Sequence, residues 1–409
     1  MRKTWTVRLA LAMSFLKTYL LQAEHLPIEV CQARSRSIPF MTAPSGVRVN
    51  KVKIPAFPYR VRAEAILYEC LSEEERSLLG MERKPQGAKP GLRPSEGLQV
   101  NEHKTNDQDR EQSDSESDSY SSSSSLSDGE WEEHQPLYRE QKQDPFEEGL
   151  DAEWLEYIGD DDEDSDSNNE NTSANQQKAA VLYLHGGGYY TGSKEEHRVL
   201  IGPLVKRLGK NIRILTINYR LAPQHPFPAA LIDALTSYMW LMDQSVSEAF
   251  SLGSTSTPSR ATLYQNQQTH EQPSTQDTFQ PHQIVFMGDS AGGGLAISLS
   301  LLLRDYGCSS SLPQPRTIVT WSPWLDLSQS LPSFKENALT DCIPYENFVH
   351  QHSEVVDKMF EHEGEYVDPE RGVRVRQRAQ VYCPDSQLRM KYASPIFEKD
   401  FRGIPSIFI

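Results

Sequence analysis

The residues best placed to do chemistry are Gly288-Asp289-Ser290-Ala291-Gly292 and, a hundred residues earlier, His185-Gly186-Gly187-Gly188. The first matches G-x-S-x-G. Set between a strand and a helix, that pattern makes a sharp turn which presents the serine oxygen as a nucleophile. Only small residues two positions either side of the serine avoid a clash, and the helix N-terminus offers free N–H groups near its oxygen. Read alone, the same five residues also fit a tight glycine turn without catalysis. The second run puts bare backbone N–H groups directly after an apolar stretch. Acyl transfer needs such donors where the carbonyl oxygen gains charge, and one donor is worth about 10²–10³ in rate. Gly186 and Gly187, joined by the N–H of Ala291, are the expected oxyanion donors. His185 precedes them in the turn and reads as a loop organiser, not a general base. Gly188, Gly288, Asp289 and Gly292 read as structural members of the two turns.

Both turns need strands ending at one edge of a sheet, and the flanking residues provide the pattern. The continuous apolar run at 179–184 and the further runs at 212–217, 284–288 and 317–321 predict strands. Helical periodicity lies between them at 197–209, 228–243 and 290–305. Alternation at 46–56 and the run 151–159 predict two further strands, and "SIFI" (406–409) a last one. Strands alternating with helices imply a mostly parallel sheet covered on both faces. The chain therefore divides into an N-terminal segment, 1–45, and an α/β domain, 46–409. Polar or acidic insertions at about 80–150, 160–177 and 245–283 cannot bury a core and are expected to be disordered. Within 1–45, Trp5, Leu9, Ala12, Leu16, Tyr19, Leu20 and Ala23 line one face of an amphipathic helix, packed as a cap or lying on a membrane surface. Arg8 and Lys17 leave its apolar part short for a signal peptide.

The formal net charge of −16 disfavours nucleic acid as a partner. It is concentrated in 101–177, where 25 acidic residues face 4 basic ones. The acidic serines at 113–128 would suit an acidophilic kinase, although a solvated spacer is the plainer reading. Five scattered cysteines, without C-x-x-C spacing, give neither a metal site nor a disulfide framework and favour a reducing, intracellular setting. No nucleotide-binding glycine motif accompanies the first strand of the regular region, and the attack by serine requires no metal or organic cofactor.

Five motifs in order carry a family resemblance: "VLYLHGGGYYTGS", "NYRLAPQHPFPAAL", "IVFMGDSAGGGLA", "SPWLDLS" and "YASPIF". The chain resembles the hormone-sensitive-lipase-like (GDXG) α/β-hydrolases, in the style of a fungal member with inserted segments. The likeness is strong over 178–244 and 284–341, moderate over 391–409 and loose before that. Glu196, where Ser or Thr usually precedes the histidine, and Met287, where a smaller residue usually precedes the glycine, depart from the pattern. The resemblance implies an α/β-hydrolase fold and hydrolysis of a small carboxylic ester (an acylglycerol, sterol or aryl ester) through an acyl-Ser290 intermediate. It also implies scaffold roles for Tyr219–Pro223 and Asp233, and a cap formed by the N-terminus and 342–390.

In that family the catalytic acid follows the strand matching "IPSIFI", and the histidine follows later. The expectation is therefore a fragment in which the proton-handling residues are missing. Asp326 with His350, His352 or His362 would supply a substitute triad in formal order, but the resemblance already accounts for Asp326 in the "SPWLDLS" loop. The competing reading is a receptor-like, non-catalytic member of the same fold.

Overall fold

The computed structural model describes residues 26–37, 43–81, 146–159, 179–242, 278–307, 312–337, 365–367, 374–376 and 380–409. All of them belong to one compact unit drawn from 1–88 and 145–409; a second, Lys89–Asp144, lies outside the described residues, as do the amphipathic segment 1–25 and most of 342–390. In chain order the elements are α1 (Ile28–Arg36), β1 (Val47–Pro55), α2 (Tyr59–Cys70), α3 (Glu73–Leu78), β2 (Gly149–Tyr157), β3 (Ala179–Leu184), α4 (Arg198–Leu208), β4 (Ile212–Ile217), α5 (Ala229–Leu241), β5 (Ile284–Asp289), α6 (Ser290–Asp305), β6 (Thr317–Trp321), α7 (Pro332–Glu336), β7 (Glu365–Val367), β8 (Arg374–Arg376) and β9 (Ile407–Phe408).

Seven strands form one sheet in the order β1-β2-β4-β3-β5-β6-β9, and β7 pairs with β8 as a separate antiparallel ribbon. The strands from β4 to β9 run parallel, while β1 and β2 pair antiparallel at one edge. The two-residue side-chain period divides the apolar residues between the two faces. Leu182, Leu184, Phe286 and Ile318 join the large core built with α2, α5 and α6. Val181, Tyr183, Ile214 and Met287 pack instead against Ile201 and Val205 of α4. Met287 thus fills the smaller core, which is why a larger residue before Gly288 is accommodated.

Two predicted boundaries shift. The insertion expected at 245–283 gives up its last residues to the folded unit: Phe279 is buried, lies 5.8 Å from the Trp154 ring, and its N–H bonds Leu241 O at 2.9 Å. The ends of that insertion therefore meet, which makes a long insertion cheap because closure entropy grows only slowly with length. At the acidic insertion, Phe146 packs on the core and Gly149 and Leu150 are already in β2. Helices α2 and α3 were absent from the sequence expectation. Tyr59, Ala63, Ile66 and Leu67 of α2 share one face that buries against α5 and α6, but the apolar Val61, Ala65 and Tyr68 off that face blur its period. The local signal for α3 is the capping box of Ser72 and Glu75. Among the described residues no helix is long and apolar enough to cross a membrane.

Phe286 is fully buried in β5 and meets Tyr238 edge-on at 4.8 Å. Phe286→Ala is expected to lower unfolding free energy by about 3–5 kcal/mol, measured by chemical denaturation.

Candidate active site

Ser290 is the junction between β5 and α6, and its backbone sits at φ +50. That left-handed conformation is costly for a residue with a Cβ and persists only where surroundings hold it. Two contacts hold it here. A Cβ on Gly288 would strike the Gly292 carbonyl, so the turn closes onto itself through bare backbone. On the far side, Trp324 N–H donates to Ser290 O at 2.8 Å, tying the elbow to the loop after β6. Among the described residues no side chain hydrogen-bonds Ser290 Oγ.

The glycine loop after β3 packs directly on this elbow. A Cβ at Gly292 would collide with the carbonyl oxygens of Leu184 and His185, so the first turn of α6 slides beneath the end of β3. The Asp289 carboxylate supplies the polar link. Its Oδ1 accepts from Tyr183 OH at 2.6 Å and from Gly186 N–H at 2.9 Å, and lies 3.5 Å from His197 Nε2. Because Gly186 N–H is spent on Asp289, it is not free for a substrate oxygen, contrary to the sequence expectation. The N–H groups of Gly187 and Gly188 have no acceptor among the described residues, and Ala291 N–H lies in the uncapped first turn of α6. Gly187 holds φ +114, and a Cβ there would meet Thr191 O.

His185 is fully buried, stacks on Tyr219 at 4.2 Å, and donates from Nδ1 to Gly186 O at 2.7 Å. Its Nε2 has no partner among the described residues. Burial, reinforced by His197, pulls its pKa down to about 3, so the ring is neutral. His197 differs. Burial pulls its pKa down too, but the Asp289 carboxylate outweighs burial and raises it. The same contact holds Asp289 below the ordinary carboxylate range despite burial.

The loop is also fixed along its length. Tyr219 OH donates to His185 O at 2.6 Å. Arg220 grips buried Asp233 through its backbone N–H (2.8 Å) and Nε (3.0 Å), bracing the segment that carries Tyr219. Gln32 of α1 donates to Tyr190 O and Ala222 O, both at 3.0 Å, and Ser35 Oγ donates to Gly192 O at 3.2 Å. The loop exit is anchored by Lys194, whose N–H bonds Asn218 Oδ1 at 2.8 Å and whose buried ammonium faces Asp151 at 2.9 Å. Gln32, Lys194 and His197 were not identified as site residues from sequence. Only the position of His197 after the glycine loop marked it, and pairing across a hundred residues of chain has no local signal.

Asp326 does not serve Ser290. Both its oxygens are taken by the N–H and hydroxyl groups of Ser328 and Ser330, at 2.6–3.0 Å. His350, His352 and His362 lie outside the described residues. Among those residues no group of three His, Cys, Asp or Glu side chains could hold a metal.

A family model described as alpha/beta hydrolase fold matches residues 181–409, over half the chain. An acetyl-hydrolase of Streptomyces hygroscopicus is 35% identical over 148 residues, covering 36% of each chain. An ethyl acetate hydrolase of Pseudomonas putida is 31% identical over 153 residues, covering 37% of each. The chain thus matches well under half the length of these curated relatives. Among solved structures, an esterase from the bacterial hormone-sensitive lipase (HSL) family aligns at 26% identity and TM-score 0.39, covering 63% of this chain and 60% of that one. With the sheet, the elbow and the glycine loop in the arrangement described, the chain belongs to the α/β-hydrolase fold family.

Proposed function

We propose that this protein is a hormone-sensitive-lipase-like carboxylic-ester hydrolase with Ser290 as nucleophile. The observation that carries the reading is the contact between the two turns. The serine elbow and the glycine loop share the Asp289–Gly186 bond, with Gly292 packed beneath the end of β3. Relatives named for the hydrolysis of acetyl groups and ethyl acetate support the ester as substrate class.

In this reading Ser290 Oγ attacks the ester carbonyl carbon and passes its proton to a general base. Among the described residues no side chain is bonded to Oγ as that base. The carbonyl oxygen, now an anion, accepts hydrogen bonds from Gly187, Gly188 and Ala291 N–H; Gly188 takes the place first assigned to Gly186. Collapse expels the alcohol with the returned proton and leaves an acyl-serine, which water hydrolyses in the mirror sequence. His185, neutral and fixed between Tyr219 and Gly186 O, keeps the loop in shape and moves no proton. The elbow glycines and Asp289 are structural.

Two measurements test the proposal. Hydrolysis of p-nitrophenyl butyrate by the full-length protein is expected to fall by on the order of 10⁴ or more in Ser290→Ala. Ligand binding without turnover in the unmutated protein would instead favour the receptor-like reading. Gly187→Ala forces a Cβ against Thr191 O at φ +114. It is expected to lower kcat about 10²–10³-fold while circular dichroism shows a folded protein.

A further inference from the structure

We infer that His197 is a positioning residue: as an imidazolium it clamps the Asp289 carboxylate and, through it, holds Gly186 and the glycine loop against the serine elbow. The kinetic part of this inference rests on the proposed ester hydrolysis; the structural part does not.

The two ring nitrogens of His197 face different partners. His197 Nδ1 lies 2.9 Å from Ser193 O, and a carbonyl can only accept, so Nδ1 carries a proton. His197 Nε2 lies 3.5 Å from Asp289 Oδ1, an ionised carboxylate oxygen. A neutral ring protonated at Nδ1 would turn a lone pair toward that negative oxygen. Only the doubly protonated ring satisfies both contacts. The neighbouring histidine shows the opposite arrangement: His185, with ring centroids 5.4 Å from His197, has one acceptor and one empty nitrogen, and is neutral.

The other groups around His197 are consistent with this state. Glu196 adjoins it in sequence and acts on it with negative charge, although burial pushes its own carboxyl pKa up. The Tyr183 ring lies 6.1 Å away, and its hydroxyl is bound to the same Asp289 oxygen. Among the described neighbours, His185 opposes the charge, and its neutrality removes that repulsion. Asp289 Oδ1 therefore collects three contacts at one oxygen: Tyr183 OH, Gly186 N–H and the His197 cation.

The direction of the pH effect follows. A histidine whose pKa rises on folding stabilises the folded arrangement below the ordinary imidazole value of 6.5. That contribution disappears as pH climbs through the raised value. Asp289 works in the other sense: its depressed pKa stabilises above 3.8 and is lost only in stronger acid. The clamp is intact between those limits and releases on the alkaline side. The general base of the reaction must be neutral to act, so it produces the acidic limb of a rate profile. An alkaline limb is then the signature of His197.

The test uses the full-length protein and three readouts. Nitrogen-15 chemical shifts of the His197 ring at about pH 6 are expected to show both nitrogens protonated, with titration above 6.5. A singly protonated ring there overturns the clamp whether or not the protein is an esterase. In His197→Gln, amide exchange at Gly186 is expected to quicken by about tenfold or more, and unchanged exchange in a folded variant overturns the inference. With p-nitrophenyl butyrate, the same variant is expected to lose about 10- to 100-fold in kcat with little change in KM, and to lose the alkaline limb. Retention of that limb with unchanged kcat also overturns it. Absence of turnover in the unmutated protein counts against the ester-hydrolase reading and leaves the nitrogen-shift and exchange results to decide the clamp.

Discussion

The Asp289 carboxylate is the interaction on which the candidate site depends. It sits at the end of β5, one residue before Ser290, and reaches across to the neighbouring strand β3. There it bonds Tyr183 OH and Gly186 N–H and faces His197. The carboxylate is largely buried, so these donors are stronger partners than they would be in water, and an unpaired charge in its place would be costly. One oxygen thereby fixes the relative position of two loops whose separation must be right to within a fraction of an ångström for the proposed acyl chemistry.

The scaffold makes that bond possible by bringing backbones unusually close. Gly292 lies where any side chain would strike Leu184 O and His185 O, and Gly288 where one would strike Gly292 O. Parallel β3 and β5 end at the same edge of the sheet, so their following turns are neighbours by construction. Helices α5 and α6 cover one face and α4 the other, leaving these turns as the natural site at the carboxyl edge. The residues beyond the motifs serve the same end. Arg220 and Asp233 hold the segment carrying Tyr219, Tyr219 supports His185, and Gln32 and Ser35 of α1 fasten the outer part of the loop.

Much of this was legible in the sequence. Strands 179–184, 212–217 and 317–321 coincide with the predicted runs; 179–184 is the clearest because a strand buried on both faces leaves an unbroken apolar signal. Helix α6 begins at the serine, where glycine, serine and alanine announce the turn. By contrast, α2 was missed because the apolar Val61, Ala65 and Tyr68 lie off the face that Tyr59, Ala63, Ile66 and Leu67 bury, and so mask its helical period. Phe279 was assigned to a polar insertion because a single aromatic among glutamines looks like spacer until Trp154 is beside it.

The sequence by itself determined the fold class, the serine and the glycine-rich loop, because each depends on local backbone rules: strand period, helix N-terminus, and turns that only glycine can enter. Only the tertiary structure decided which N–H groups are free and which ring is charged. Gly186 and Gly187 are indistinguishable in sequence, yet Asp289 accepts a hydrogen bond from the N–H of the first and leaves that of the second. His185 and His197 are histidines twelve positions apart on the same loop, yet one faces a single acceptor and the other faces two. Hydrogen-bond accounting runs between partners remote in the chain, and those partners meet only once the sheet has formed.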